Sequence, residues 1–221
     1  KRFKLLKDIV FENKKHIDTN NFDCIVPVYG GGDSYFTVHV VKNILGMNPL
    51  LVHYNSEFNT KIGIRNLANL ATVFDCDMVT STLAPSLLKR ITRASLKKYG
   101  NMYWQVLSGR LTFPVQVAVK YKIPLIFWGV HPWSDQTGMY QHINEVEMTE
   151  RCRKEHGLFG VSAEDLIGQE KLSRSDMQPF IYPYDNEIEA IGVRGIYLSN
   201  YIRWDSKKQH EEMIDLYGYE T

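Results

Sequence analysis

Short apolar runs alternate with segments whose apolar residues recur at helical spacing, and no other feature limits the possible folds of this chain so strongly. "DCIVPV", "NPLLVHY", "CDMVTST" and "IPLIFWGV" are short and rich in β-branched or large apolar residues, and read as buried strands. Between them, "SYFTVHVVKNILG" reads as a helix with Gly46 as its C-cap. "NTKIGIRNLANLATVF" places Ile62, Leu67, Leu70 and Phe74 roughly on one helical face. Pro85 opens a helix through "PSLLKRITRASLKKYG" and Gly100 closes it, while "FPVQVAVKYK" reads as one more. Strands that alternate with amphipathic helices predict an α/β fold, a parallel sheet with helices on both faces. From about Ser134 the rhythm changes to charged helical pieces such as "NEVEMTERCRKEHG", broken by Pro and Gly. Residues 1–133 are therefore expected to form the α/β unit. Residues 134–221 are expected to be a smaller, mostly helical region for substrate or assembly, within the same domain.

The chain has 221 residues, of which 44% are hydrophobic, enough for one domain with a real core. Its 26 basic and 25 acidic residues leave a net charge of +1, which gives no electrostatic footprint for nucleic acid or an anionic membrane. The apolar runs are too short to span a bilayer, and the opening "KRFKLLKDIVFENKKH" has no signal-peptide core. A cytoplasmic protein with no membrane insertion is the expectation. Cys24, Cys76 and Cys152 form neither a CxxC pair nor a disulfide framework, and Cys24 reads as core. None sits in the context of an activated glutaminase nucleophile.

The stretch "FDCIVPVYGGGDSYF", Phe22 to Phe36, ends a strand on three glycines and then an acid and a hydroxyl. In a parallel sheet, ligands bind beyond the carboxyl ends of strands. Gly30, Gly31 and Gly32 can turn backbone N–H groups toward an anion at the start of a helix. The dinucleotide fingerprint fails, because Tyr35 stands where its third glycine belongs, and the Walker A pattern lacks its GK[ST]. What remains is a nest followed by Asp33, a candidate Mg²⁺ ligand on a polyphosphate, and Ser34, a candidate donor to phosphate oxygen. The competing reading is a tight turn in which Asp33 or Ser34 caps the helix.

"YGGGDS" resembles the SGGxDS signature of the PP-loop ATP pyrophosphatases, whose fold is Rossmann-like. The stretches "FNTKIGIRNL", "FPVQVAVKYKIPLIFWG" and "YPYDNEIEAIGVRGIYLSNYIRWD" resemble one branch of that superfamily, the N-acetyl sugar amidotransferases of bacterial surface-polysaccharide and flagellin-sugar biosynthesis. The likeness runs from about Phe22 to Gly218. It implies an ATP-dependent enzyme that forms AMP and pyrophosphate, adenylates an acetamido oxygen, and lets ammonia displace AMP to give an acetamidino group. It implies ATP and Mg²⁺, an N-acetylated sugar or nucleotide-sugar substrate, and separate glutaminase and cyclase-like subunits that supply ammonia.

By the same resemblance, Tyr29, Gly30, Gly31, Gly32, Asp33 and Ser34 form the phosphate loop, with Asp33 and Ser34 catalytic. Tyr54 and Asn55 offer backbone to an adenine, and Gly129 and His131 lie on the ligand side. Arg194, Gly195 and Trp204 are weaker candidates for the sugar nucleotide, and Trp204 equally suits packing. Arg65 reads as part of a solvated helix face. The branch carries flanking segments at both ends, so a piece of a longer protein is expected.

The pattern departs at Tyr29, where the family has serine, and at Val130, where an acid is expected. The phenol either swings outward or occupies the pyrophosphate position, and restoring serine is expected to strengthen ATP binding. A degenerate, binding-only subunit is therefore the alternative. A PP-loop tRNA-modifying enzyme is another, against which the charge balance argues.

Overall fold

The computed structural model describes residues 1–14, 22–130, 147–158 and 160–221. Five strands, β1 (Cys24–Pro27), β2 (Pro49–Asn55), β3 (Met78–Thr82), β4 (Leu125–Trp128) and β5 (Arg194–Tyr197), form one sheet in the order β3-β2-β1-β4-β5. All four pairings are parallel, with Ile25 level with both Leu50 and Ile126. The helices are α1 (Arg2–Lys14), α2 (Gly32–Val38), α3 (Lys61–Val73), α4 (Pro85–Tyr99), α5 (Trp104–Tyr121), α6 (Arg174–Met177), α7 (Asp185–Ile191) and α8 (Ser206–Tyr217). Among the described residues, no helix is long and apolar enough to cross a membrane.

The sheet is buried on both sides because alternate residues of each strand feed different cores. Cys24, Val26, Leu51, Leu125, Phe127 and Ile196 pack with Leu6 and Val10 of α1, with α2, with Leu70 of α3 and with Met213 of α8. Ile25, Leu50, Val52, Ile126, Trp128 and Tyr197 face the other way, onto Val115 and Ala118 of α5 and Ile188 of α7. A third cluster joins Tyr54 to Ile91 of α4, Trp104 of α5 and Phe180. This is the α/β architecture that the alternating sequence predicts.

Three elements differ from the sequence reading. β5 comes from the region expected to be mostly helical, and it closes the sheet beside β4. The helix after the glycines changes pitch, from α2 into six residues of wider π-type turns, His39–Ile44, before Gly46 reverses the chain at φ +64°. α5 begins at Trp104, nine residues before Phe113, and carries Pro114 inside it.

The chain runs outward from β1 to β3 and then returns to place β4 on the opposite side of β1. The connections leaving β1 and β4 therefore diverge, and such a point of reversal opens a crevice at the carboxyl edge of a parallel sheet.

Candidate functional site

The glycine loop lies at that crevice. β1 hands over to it smoothly, since the Val28 N–H still donates to Val52 O at 2.9 Å. The Tyr29 N–H then turns back and donates to Ser34 Oγ at 3.0 Å, while Ser34 N–H donates to Gly31 O at 2.9 Å. Ser34 thus closes the loop with its oxygen and keeps its hydroxyl proton to give elsewhere. Gly31 is the N-cap of α2 and brings no side-chain cap to the helix start.

The three glycines are bare for three different reasons. Gly30 has φ +75°, and a Cβ there would lie 2.6 Å from the Gly63 carbonyl of α3. A Cβ on Gly32 would lie 2.3 Å from the His210 ring of α8. At Gly31 a Cβ would meet nothing within 4 Å, and its φ of −91° suits any residue. Packing explains the first and third glycine. The middle one borders open space, where a ligand can approach the backbone.

Asp33 projects from the first turn of α2 with its side chain 46% exposed, and His210 Nε2 lies 3.2 Å from Oδ1. Sequence reasoning missed His210, which is 177 residues away and carries no local signal. Among the described residues, no group of three His, Cys, Asp or Glu side chains gathers into a metal site. A single exposed carboxylate with one oxygen uncommitted fits Mg²⁺ of the kind that arrives on phosphates and keeps most of its water.

Tyr29 turns toward α5. Pro114 has no N–H, so the Arg110 carbonyl one turn earlier lacks its helical donor. The Tyr29 hydroxyl donates to that carbonyl at 3.3 Å. The Arg110 guanidinium lies over the Tyr29 ring, 4.4 Å from its centre. Burial pushes the Tyr29 phenol above its ordinary range, and Arg110 opposes this only partly. The phenol is thus packed against α5, on Arg110, rather than extended into solvent. His53, buried in β2, donates from Nδ1 to Val28 O at 2.9 Å, and burial holds its pKa below the usual value.

The remaining candidates divide. Gly129 follows β4 and packs on α2, close to Thr37 Oγ1 and the Trp204 ring, whose Phe36 contact is edge-on at 5.3 Å. Trp204 therefore packs on the loop's helix. The Tyr54 side chain does not line the crevice. It lies over Gly109, donates to Gln105 Oε1 at 2.7 Å, and only its backbone remains available at the strand end. Asn55 locks the turn after β2, accepting from Glu57 N–H at 3.1 Å and from Asn59 Nδ2 at 2.7 Å.

Arg194 and Gly195 are displaced from the site. Arg194 is level with Leu125 at the amino edge, roughly 15 Å along the strands from the loop, and Glu147 holds its guanidinium at 2.6 and 3.0 Å. A Cβ on Gly195 would meet Met148 at 2.6 Å, so that glycine serves packing. Arg65 is exposed and paired with Glu220. His131 lies outside the described residues. Burial raises the thiol pKa of Cys76 and Cys152, the opposite of an activated nucleophile.

No family model matches this chain, and no curated relative does. Among solved structures it is similar to an NH3-dependent NAD synthetase from Campylobacter jejuni subsp. jejuni NCTC 11168. The TM-score is 0.47 at 14% identity, over 100% of this chain and 77% of that one. It is also similar to the NMN synthetase from Francisella tularensis, with TM-score 0.45 and 11% identity over 96% of this chain and 94% of that one. Likenesses this distant carry no functional weight.

Proposed function

We propose that this chain is an ATP-dependent amidotransferase of the PP-loop type, acting on the acetamido group of a sugar or nucleotide-sugar in the making of bacterial surface glycans. The supporting observation is the loop itself. A glycine with open space above it, an exposed acid and a hydroxyl with a free proton stand together at the switch point of a parallel sheet. ATP would lay its phosphates along Gly31, with Ser34 donating to a phosphate oxygen and Asp33 holding the accompanying Mg²⁺. That ion would neutralise charge on the departing pyrophosphate.

In the reaction, the acetamido oxygen attacks the α-phosphorus and pyrophosphate leaves. Ammonia, delivered by a separate glutaminase and cyclase-like partner, adds to the activated carbon. AMP departs with the former amide oxygen, leaving an acetamidino group and a released proton. The protein's part is position and charge neutralisation.

The test uses a sugar labelled with ¹⁸O in its acetamido carbonyl, with ATP, Mg²⁺ and ammonia. Label in AMP supports the reading, and ADP with inorganic phosphate would reject it. A second reading is favoured by one contact: Asp33, the loop's acid, already faces His210. A binding subunit without turnover would bind ATP and release no AMP under any of these conditions.

A further inference from the structure

Arg110 is the one buried or half-buried arginine among the described residues that has no carboxylate. Arg90 is paired with Asp176, Arg153 with Asp185 and Arg194 with Glu147. Arg110 instead rests on the Tyr29 ring, and its Nε is buried without a hydrogen-bond partner. A partly buried cation with an unmet donor is costly, and such groups persist where something else completes them. The position tells what that is. Arg110 belongs to the half of α5 nearer the carboxyl edge, and its platform is the first residue of the glycine loop. The loop has no cation of its own, since Gly32 fills the variable position between Gly31 and Asp33.

We infer that Arg110 is the cation of this site, donating to a phosphate oxygen of a ligand seated on the glycine loop, and that Tyr29 is the residue that positions it. This rests on the functional reading above and adds a residue that the loop sequence does not contain. The arrangement gives Tyr29 a purpose. Its hydroxyl ties down the carbonyl that Pro114 leaves free, and its ring face seats the guanidinium 4.4 Å from the ring centre, which restricts where the N–H groups can reach. Serine at position 29 would restore a loop hydroxyl but remove the platform, so the expectation that serine improves binding is reversed.

The experiment is calorimetric titration of the chain with ATP·Mg²⁺, inorganic pyrophosphate and AMP, with thermal melting as the control for folding. Arg110→Gln should weaken ATP·Mg²⁺ and pyrophosphate at least tenfold, as expected for one lost charge-assisted hydrogen bond. Arg110→Lys should recover part of the loss, because it restores charge without the planar fork. Tyr29→Phe should keep most of the affinity, and Tyr29→Leu should lose severalfold by freeing the guanidinium. Equal ATP·Mg²⁺ affinity in the wild type and a folded Arg110→Gln overturns the inference alone. Arg110-dependent binding of pyrophosphate without any binding of ATP·Mg²⁺ upholds the inference and rejects the nucleotide reading. A wild type that binds none of the three anions rejects both. Should Arg110→Gln fail to fold, Tyr29→Leu decides: unchanged affinity there overturns the platform and with it the inference.

Discussion

At the scale of single residues, the glycine loop separates structural from functional need. Gly30 is held at φ +75° against the Gly63 carbonyl. Gly30→Ala must strain the backbone and push α3 away, and should cost about 1–3 kcal/mol of stability, read as a lower denaturation midpoint. Gly31 is at φ −91° with nothing near. Gly31→Ala should change stability little, because the gain of about 0.4–1 kcal/mol from a less flexible unfolded chain is offset by alanine's poorer fit at the N-cap of α2. Its effect belongs to the ligand: a methyl above the backbone keeps phosphate oxygens beyond the about 2.7–3.2 Å they need, so ATP·Mg²⁺ affinity should fall at least tenfold. If Gly31→Ala binds ATP·Mg²⁺ as the wild type does, the open space is not a phosphate seat. The Asp33 side chain is half-exposed, and among the described residues its carboxylate is paired only with His210. Asp33→Asn should therefore fold normally and lose most AMP formation at matched Mg²⁺, whereas unchanged turnover would remove it from the mechanism.

At the scale of elements, α8 governs the loop from outside. Its N-cap Asp205 accepts from Lys208 N–H at 3.3 Å and sets the first turn, which brings His210 onto Gly32 and beside Asp33. A Cβ 2.3 Å from that ring cannot be absorbed without moving the ring or the helix. Gly32→Ala should cost about 1–3 kcal/mol by overpacking, and Gly32→Ala with His210→Ala should regain most of it in urea denaturation. Strictly additive effects would mean that the ring is not the obstacle.

The same elements show what the sequence could and could not display. β1, β2 and β4 were legible because each is an apolar run buried on both faces, and β3, a half-exposed edge strand, was legible from its β-branched residues instead. β5 was not: "RGIY" contains a charge and a glycine, and its burial comes from β4 and Met148 rather than from its own composition. The start of α5 was hidden by Pro114, which reads as an opening residue and is tolerated inside because Tyr29 supplies the missing donor. The loop Tyr29–Ser34 was legible as a local motif. Arg110 and His210 were not, since distance in sequence leaves no pattern for a contact made across the fold. Arg194 misled because "GVRGI" resembles an exposed donor loop, whereas Glu147 neutralises it at the opposite edge.

For the whole molecule, the titrating groups set how stability depends on pH. His53 and His39 both have pKa values below the ordinary 6.5, mainly because burial disfavours the charged ring. At His53 the Val28 carbonyl pulls the other way and Arg110 adds to the lowering. The unfolded chain therefore binds protons at these rings more readily than the folded one, so stability rises with pH through this range. It should be constant just above the ordinary value of 6.5 and decline as pH falls from there toward the depressed folded values. A separate loss should follow at lower pH. The Asp185 carboxyl is held below its ordinary 3.8 by Lys154 and Arg153, so its contribution persists until pH drops below that value. The two regimes differ in origin, and one substitution separates them. His53→Gln keeps a side chain able to donate to Val28 O but cannot take up a proton. Its free energy of unfolding, followed by urea denaturation from about pH 7.5 to about 5, the range in which histidine titrates, should show a shallower slope than the wild type. Below the histidine range the two curves should run parallel. An identical slope in both proteins would mean that His53 is as easily protonated in the fold as in the open chain. The buried ring beside Val28 would then not be held neutral at the start of the glycine loop.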